Sequence, residues 1–405
     1  MKNTLRFCLQ LTLLFVVCTK SLAQYYPGGF SKSKINLWLD ASDTTTFTKV
    51  GGVISAWKDK ANNLSAAQAT SSKQPALSVQ DGKNIVEFNG AQGLDIATNA
   101  LLAPQNGYNV AQVIHVYPDA PSSLTDFRYG TYSNSTNNTQ GTPLIGLRYV
   151  TQISKYAVTA MRNNTYYYYT AYNDLRGQWL MAGNYLPSTG INTYYYFNGG
   201  GTLNSTDTPH VTNTTLSTTI GNRTNNYSSV HWGVSETVLA GFDTKKSGRR
   251  IIETYLAAKW GMLDTFQTYN GAVYFYPTNA AFVNDLVGIG TEGGSDSTTY
   301  TGSNNGLGFQ NVNGISGLLR APGTYLTAAD NGISGTTTMG TSFTRWNRSW
   351  YVNKTDPSGY GGLVNIFFDF NSYSNNSLDT NANDYYILYN PTSGYFNSGN
   401  NYLVN

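Results

Sequence analysis

The stretch DTKKSGRRIIETYLAAKWGML, Asp243 to Leu263, decides how the rest of the chain is read. Within it Ile251, Ile252, Tyr255, Leu256, Lys259, Trp260 and Leu263 recur at the three-and-four spacing of a helix face. Asp243 stands where a helix start is capped, and Gly261 where a helix commonly ends. The spacing predicts a helix over Thr244 to Met262, its apolar stripe lying against the part of the chain that precedes it.

On both sides of this segment the pattern changes to short alternating runs. Before it, Ile35 to Leu39, Ile85 to Phe88, Val110 to Tyr117, Leu144 to Val150, Trp179 to Tyr185, Asn192 to Phe197 and Val230 to Leu239 read as strands. After it, Val273 to Tyr276, Leu286 to Ile289, Trp350 to Val352, Val364 to Phe370 and Tyr385 to Tyr389 do so. Asn-Gly, Gly-Gly and Asn-Asn steps separate many of them, as turns between strands require. The prediction is an all-β chain in two sandwich-like modules, with the boundary near Thr265 to Gly271. With 32 Tyr and 41 Gly the composition suits strands joined by polar turns rather than disorder.

The first residues read as an export signal. Lys2 and Arg6 lead, Leu9 to Val17 is a short apolar stretch, and Ser21-Leu22-Ala23 supplies small residues for cleavage before Gln24. A lipoprotein signal with Cys18 as the lipidated residue is the rival, and Val17 is large for the position before it. Both cysteines, Cys8 and Cys18, lie in this leader, so the exported chain has no disulfide or thiol chemistry. Three of the 25 basic residues, Lys2, Arg6 and Lys20, lie there too, which leaves basic and acidic residues equal at 22. A neutral chain without a long basic run points away from nucleic acid and from anionic membranes. No later segment is long and apolar enough to span a membrane. The expected location is secreted or on the outer cell surface.

Over residues 35 to 263 the first module resembles the concanavalin A-like (laminin-G-like) jelly rolls of exported Bacteroidetes proteins. The residues that carry the likeness are Leu37 to Ser42, Trp57 to Asn63, Pro75 to Leu77, Val86 to Gly90, Gly177 to Trp179, Tyr195 to Gly199, Ile220 to Asn222 and the helix Ile252 to Gly261. The second module resembles an uncharacterised β-domain that often follows such a jelly roll, on Asn284 to Gly290, Arg345-Trp346, Trp350 to Val352 and Tyr385 to Tyr389. Relatives commonly carry a C-terminal sorting domain, and none follows Tyr389 here. With the leader read above as a signal peptide over 1–23, the resemblance implies a jelly roll over 24–265 closed by one helix and a smaller β-sandwich-like domain over 271–405, whose completeness at the C-terminus the sequence leaves open. It implies no catalytic residue.

The residues themselves offer little catalytic chemistry. Glucanases of the jelly-roll superfamily need carboxylates close together on one strand face. This chain has four Glu, Glu87, Glu236, Glu253 and Glu292, and no two are near neighbours. His115, His210 and His231 form no HExxH or HxH motif, and no G-x-S-x-G or phosphate-binding loop is present. Asp40, Asp43 and Asp59 are candidate oxygen ligands for a structural calcium, and turn capping is their simpler role. Lys245, Lys246, Arg249 and Arg250 read as a solvated face. The best hint of a ligand surface is aromatic: Tyr166, Tyr167, Tyr168 and Tyr169, and Tyr195 within Tyr194 to Tyr196. In strands such runs alternate faces, and outward rings offer flat apolar faces with a polar tip to a sugar. The expectation is a non-catalytic surface protein that binds glycan or supports adhesion, with no cofactor. A structural spacer or protein-docking module is the alternative, and a divergent glycoside hydrolase the third reading.

Overall fold

The computed structural model describes residues 25–90, 92–104, 106–119, 129–134, 144–150, 155–162, 165–170, 175–189, 193–205, 217–221, 231–263, 281–304, 306–339, 343–368, 387–389 and 402–404, with backbone pairing alone for the strands between 129 and 170. The predicted leader, the predicted strand Val273 to Tyr276 and His210 lie outside these residues.

Two antiparallel sheets make the first part of the chain. The central one runs Gly200–Ser205, Thr193–Phe197, Gln178–Leu186, Tyr108–Val116 and Trp232–Ala240. The last of these is long enough to take two partners. Its start pairs with Lys83–Phe88, which continues to Ala76–Gln80, and its end pairs with Ile35–Asp40. The facing sheet runs Thr165–Thr170, Lys155–Arg162, Leu144–Val150, Tyr129–Asn134, Thr218–Gly221, Gly93–Ile96, Ser65–Ala67, Val53–Lys58 and Phe47–Val50. A pairing of Val53 with Ala76 links the two.

Strand alternation sorts the side chains between two cores. From Tyr108–Val116, Val110, Ile114 and Val116 enter the space between the sheets, where they meet Trp57, Phe88, Leu94, Ile220 and Trp232. Ala111 and Val113 of the same strand point the other way, into a second core with Trp38, Met181, Val238 and the helix α1, Lys245–Lys259. The central sheet is therefore buried on both faces, as the unbroken burial of Tyr108–Val116 and Trp232–Ala240 shows.

The predicted helix is present, and its surroundings differ from the expectation. Ile252, Tyr255, Leu256 and Trp260 pack on the central sheet, as predicted. Its remaining surface is also covered. A four-stranded sheet, Asp296–Thr298, Asn284–Gly293, Thr324–Asp330 and Trp350–Thr355, lies on the other side. From it Leu286 and Ala329 join the same core, and Tyr325 meets Ile251. Behind that sheet Tyr300–Asn304, Leu307–Asn311 and Val364–Phe368 close a third core on Val287, Ile289, Phe309 and Leu326. The hairpin Tyr25–Tyr26 and Phe30–Ser31 enters the shared layer: Tyr26 is buried there, and Gly302 donates its N–H to the Gly29 carbonyl.

Double coverage explains the helix ends and its charges. Asp243 accepts from the Lys245 N–H, as the sequence predicts, but the Lys246 and Ser247 N–H groups go to the carboxylate of Asp296, fifty residues away. At the other end Gly261, at φ +63°, lets Met262 N–H reach Ala257 and Gly261 N–H reach Ala258. The basic residues are not a solvated face, which corrects the sequence reading. Arg249 is buried against Glu253 at 2.9 Å with its guanidinium over Tyr196, and Lys246 and Arg250 both pair with Glu292. A sheet on each side buries Arg249 and most of Arg250, so acids of the fold must meet them, while Lys246 keeps 42% of its side chain exposed at the rim.

Candidate functional site

The outer face of the central sheet has a half that α1 covers and a half beyond the helix end. In the covered half Glu236 is fully buried and collects donors from the strand Ile35–Asp40 and from α1 and its C-cap. Trp38 Nε1 and Tyr255 Oη donate to its Oε1 at 2.7 and 3.0 Å, and Trp260 Nε1 donates to Oε2 at 2.6 Å. Lys259 Nζ lies 2.8 Å from Glu236 Oε2 and 2.8 Å from Asp40 Oδ2. Burial raises the Glu236 carboxyl, and Asp40 raises it further, against the pull of Lys259. Burial also works against the charge of Asp40, yet Lys259 and Lys60 outweigh it and hold that group down to about 2.

The helix stops at Lys259, and the sheet face continues past it. Register places Trp179, His115, Gly233 and Glu87 in one row across four strands. Tyr117 and His231 stand one step further along their strands, the Tyr117 N–H bonded to the His231 carbonyl. Their rings stack at 4.0 Å and 6° between planes. His231 Nε2 is 2.8 Å from Glu87 Oε1, and Nδ1 is 2.6 Å from Asp119 Oδ1. Tyr117 Oη lies 3.2 Å from Ser78 Oγ and 3.5 Å from Glu87 Oε2. His115, buried, meets Tyr117 edge-on at 4.9 Å and tilts against Trp179 at 5.0 Å. Trp179 Nε1 donates to Asp81 at 2.8 Å, and Lys83, which reaches the helix end at Gly261, sits 5.1 Å over its ring.

The electrostatics follow from this placement. Burial, with the Glu87 and Asp119 carboxylates, raises the Tyr117 phenol, so its hydroxyl stays protonated. The Trp179 hydrogen bond holds Asp81 below the usual carboxylate range. Burial lowers His115, which is neutral in the fold, and neither ring nitrogen has a well-formed hydrogen bond. The strip thus offers the partly exposed rings of Trp179, Tyr117 and His231 over the buried His115, flanked by carboxylates at graded depths: Glu87 at 24% side-chain exposure and Asp119 at 71%. It is a row of apolar faces edged with acceptors. Each carboxylate in it already has a partner.

The residues predicted from sequence fall elsewhere. Tyr166 to Tyr169 are on the strand Thr165–Thr170, paired with Lys155–Arg162, and Tyr195 pairs with Asn184. The side chains of these five tyrosines lie outside the described residues. Asp40, Asp43 and Asp59 come close in space, but their oxygens face donors. Lys60 bridges Asp40 and Asp43 at 3.0 and 3.2 Å, and Asp59 takes the N–H groups of Trp38, Ala61 and Asn62. An ammonium between two carboxylates fills the position a cation would take. Among the described residues no three His, Cys, Asp or Glu side chains are grouped to hold a metal ion. The strip was missed because its members come from four separate strands and their ends; the one local signal was His115 and Tyr117 at alternate positions along one strand.

No family model matches the chain, and no curated protein matches it. Solved structures align with it at low identity. Domain 4 of an extracellular GH43 arabinanase from Geobacillus stearothermophilus, solved with arabinotriose, aligns over 51% of this chain and 92% of that one, at 14% identity and TM-score 0.36. Trypanosoma rangeli sialidase with the inhibitor DANA aligns over 54% and 32%, at 14% identity and TM-score 0.37, so the likeness spans about a third of that enzyme. The binding domain of botulinum neurotoxin DC, solved with rat synaptotagmin II, aligns over 77% and 76%, at 11% identity and TM-score 0.38. Likeness at this level carries no argument about this chain, and its function is argued from its own residues. Among the described residues no helix is long and apolar enough to cross a membrane.

Proposed function

We propose that the protein is a non-catalytic, exported surface module that binds carbohydrate on the strip formed by Trp179, His115, Tyr117, His231, Glu87 and Asp119. The observation that carries the reading is the group of partly exposed rings beyond the helix end, Trp179, Tyr117 and His231 on the buried His115, held by Asp81 and Glu87 and edged by carboxylate acceptors. Flat rings stack on the apolar faces of sugars, and fixed carboxylates accept from hydroxyls. The engagement of Glu87 and Asp119 by one imidazole supports a binding role over hydrolysis. An acid and a nucleophile must face each other across the scissile bond, and here His231 stands between them. The layered packing around α1 also suits the alternative of a stiff spacer.

The test is a glycan array with insoluble-polysaccharide pull-downs on residues 24–405, with and without calcium. Saturable binding is expected. Trp179→Ala and Tyr117→Ala should each weaken it about tenfold, or about 1.4 kcal/mol, in protein that remains folded. Binding should be indifferent to calcium. Full binding by both variants would move the site to the Tyr166 to Tyr169 strand. No binding by folded wild-type protein would favour the spacer.

A further inference from the structure

Three buried side chains in the covered half of the sheet face do more than an ion pair requires. Asp40 and Glu236 are cross-strand neighbours on Ile35–Asp40 and Trp232–Ala240. Lys259 reaches down from the last turn of α1 and places Nζ at 2.8 Å from both carboxylates. The rings of Trp38, Tyr255 and Trp260 surround the amine at 5.9, 5.7 and 5.5 Å from their centroids. Side-chain exposure is 18% for Lys259, 3% for Asp40 and 0% for Glu236. We propose that Lys259 and Asp40 are joined by an intramolecular isopeptide bond, with Glu236 carrying the proton.

The step balances without any further reagent. Glu236 relays a proton from the Lys259 ammonium to Asp40, which leaves a neutral amine facing an uncharged carboxyl. Nζ attacks Cγ of Asp40, and a C–N bond forms as one Asp40 oxygen leaves. That oxygen departs as water, with the proton relayed to Asp40 and a second that Glu236 carries over from Nζ. The ammonium and carboxylate become a neutral amide, and Glu236 returns to its starting state. Holding amine and carboxyl at contact on two packed elements replaces the concentration that ordinary amide formation lacks. Burial raises the Glu236 carboxyl, which makes it the better proton acceptor. Lys60 also touches Asp40, at 3.0 Å, but it is shared with Asp43. The geometry therefore favours Lys259. The link would tie the sheet's Asp40 strand to the helix that both sheet pairs grip, so pulling on the chain could not peel α1 from the central sheet.

Mass spectrometry decides it. The intact, denatured wild-type protein should be lighter than its sequence by one water. A protease digest should contain the Asp40 and Lys259 peptides joined side chain to side chain. Lys259→Arg keeps a cation beside Asp40 and Glu236 but should not be acylated, and it should show the full mass while still folding. Wild-type protein at full mass, folded and with the two peptides separate, would mean an ion pair only. A loss of water that persists in Lys259→Arg would also overturn the assignment. Neither result depends on whether the strip beyond the helix binds sugar.

Discussion

Under α1 the outer face of the central sheet carries Trp38, Glu236 and Asp40; past the end of α1 the same face carries Trp179, Glu87 and His115. Aromatic rings and carboxylates are the material of both halves. In the covered half the helix supplies Tyr255, Lys259 and Trp260, and the carboxylates of Glu236 and Asp40 are buried at 0% and 3% exposure. In the open half the partners come from the sheet itself, and rings and carboxylates stay partly exposed. The difference teaches that a polar sheet face becomes structural or ligand-accessible according to what the next layer covers. The chemistry of its residues alone does not decide it.

The contrast can be broken or sharpened in steps. The largest effect is expected in the covered half. Leu256, fully buried in α1, should cost about 2–5 kcal/mol when replaced by Ala, read by urea unfolding. A cost under about 1 kcal/mol would mean that the helix is not gripped from both sides. Next comes the helix start: Asp296→Ala should cost about 0.5–2 kcal/mol as the Lys246 and Ser247 N–H groups lose their acceptor. No change would leave Asp243 as the sufficient cap. In the open half Tyr117→Ala removes the ring stacked on His231, worth about 0.5–1.5 kcal/mol. A larger loss, measured the same way, would make the strip part of the core rather than a ligand surface.

The smallest expected effect is on pH dependence. Burial depresses His115, so the folded state binds its proton less readily than the unfolded chain does. Its stabilising contribution is complete above the unfolded value near 6.5 and declines as the pH falls below it. Urea midpoints compared at pH 7.5 and 5.5 should drop in the wild type and drop less in His115→Leu. Equal drops would show that protonating His115 costs the fold nothing.

Much of this was legible in the chain. The three-and-four spacing of Ile252, Tyr255, Leu256 and Trp260 set the helix, and the alternation in residues 110 to 117 set the strand on which the site sits. Glycine marked the helix end, because only a left-handed residue lets Met262 turn back onto Ala257. These are local matters, fixed by neighbours along the backbone. The burial of Arg249, the capping by Asp296 and the gathering of His231, Glu87 and Trp179 were not legible. Each joins residues tens to well over a hundred positions apart, and no spacing rule encodes which strands become neighbours. By itself the sequence determined an all-β chain with one amphipathic helix. Only the tertiary structure decided that a second sheet would lie on that helix, sealing Glu236 and Asp40 beneath it while leaving Trp179 and Tyr117 at the surface. The physical reason is that coverage is a property of packed layers, set by where the helix ends on the sheet.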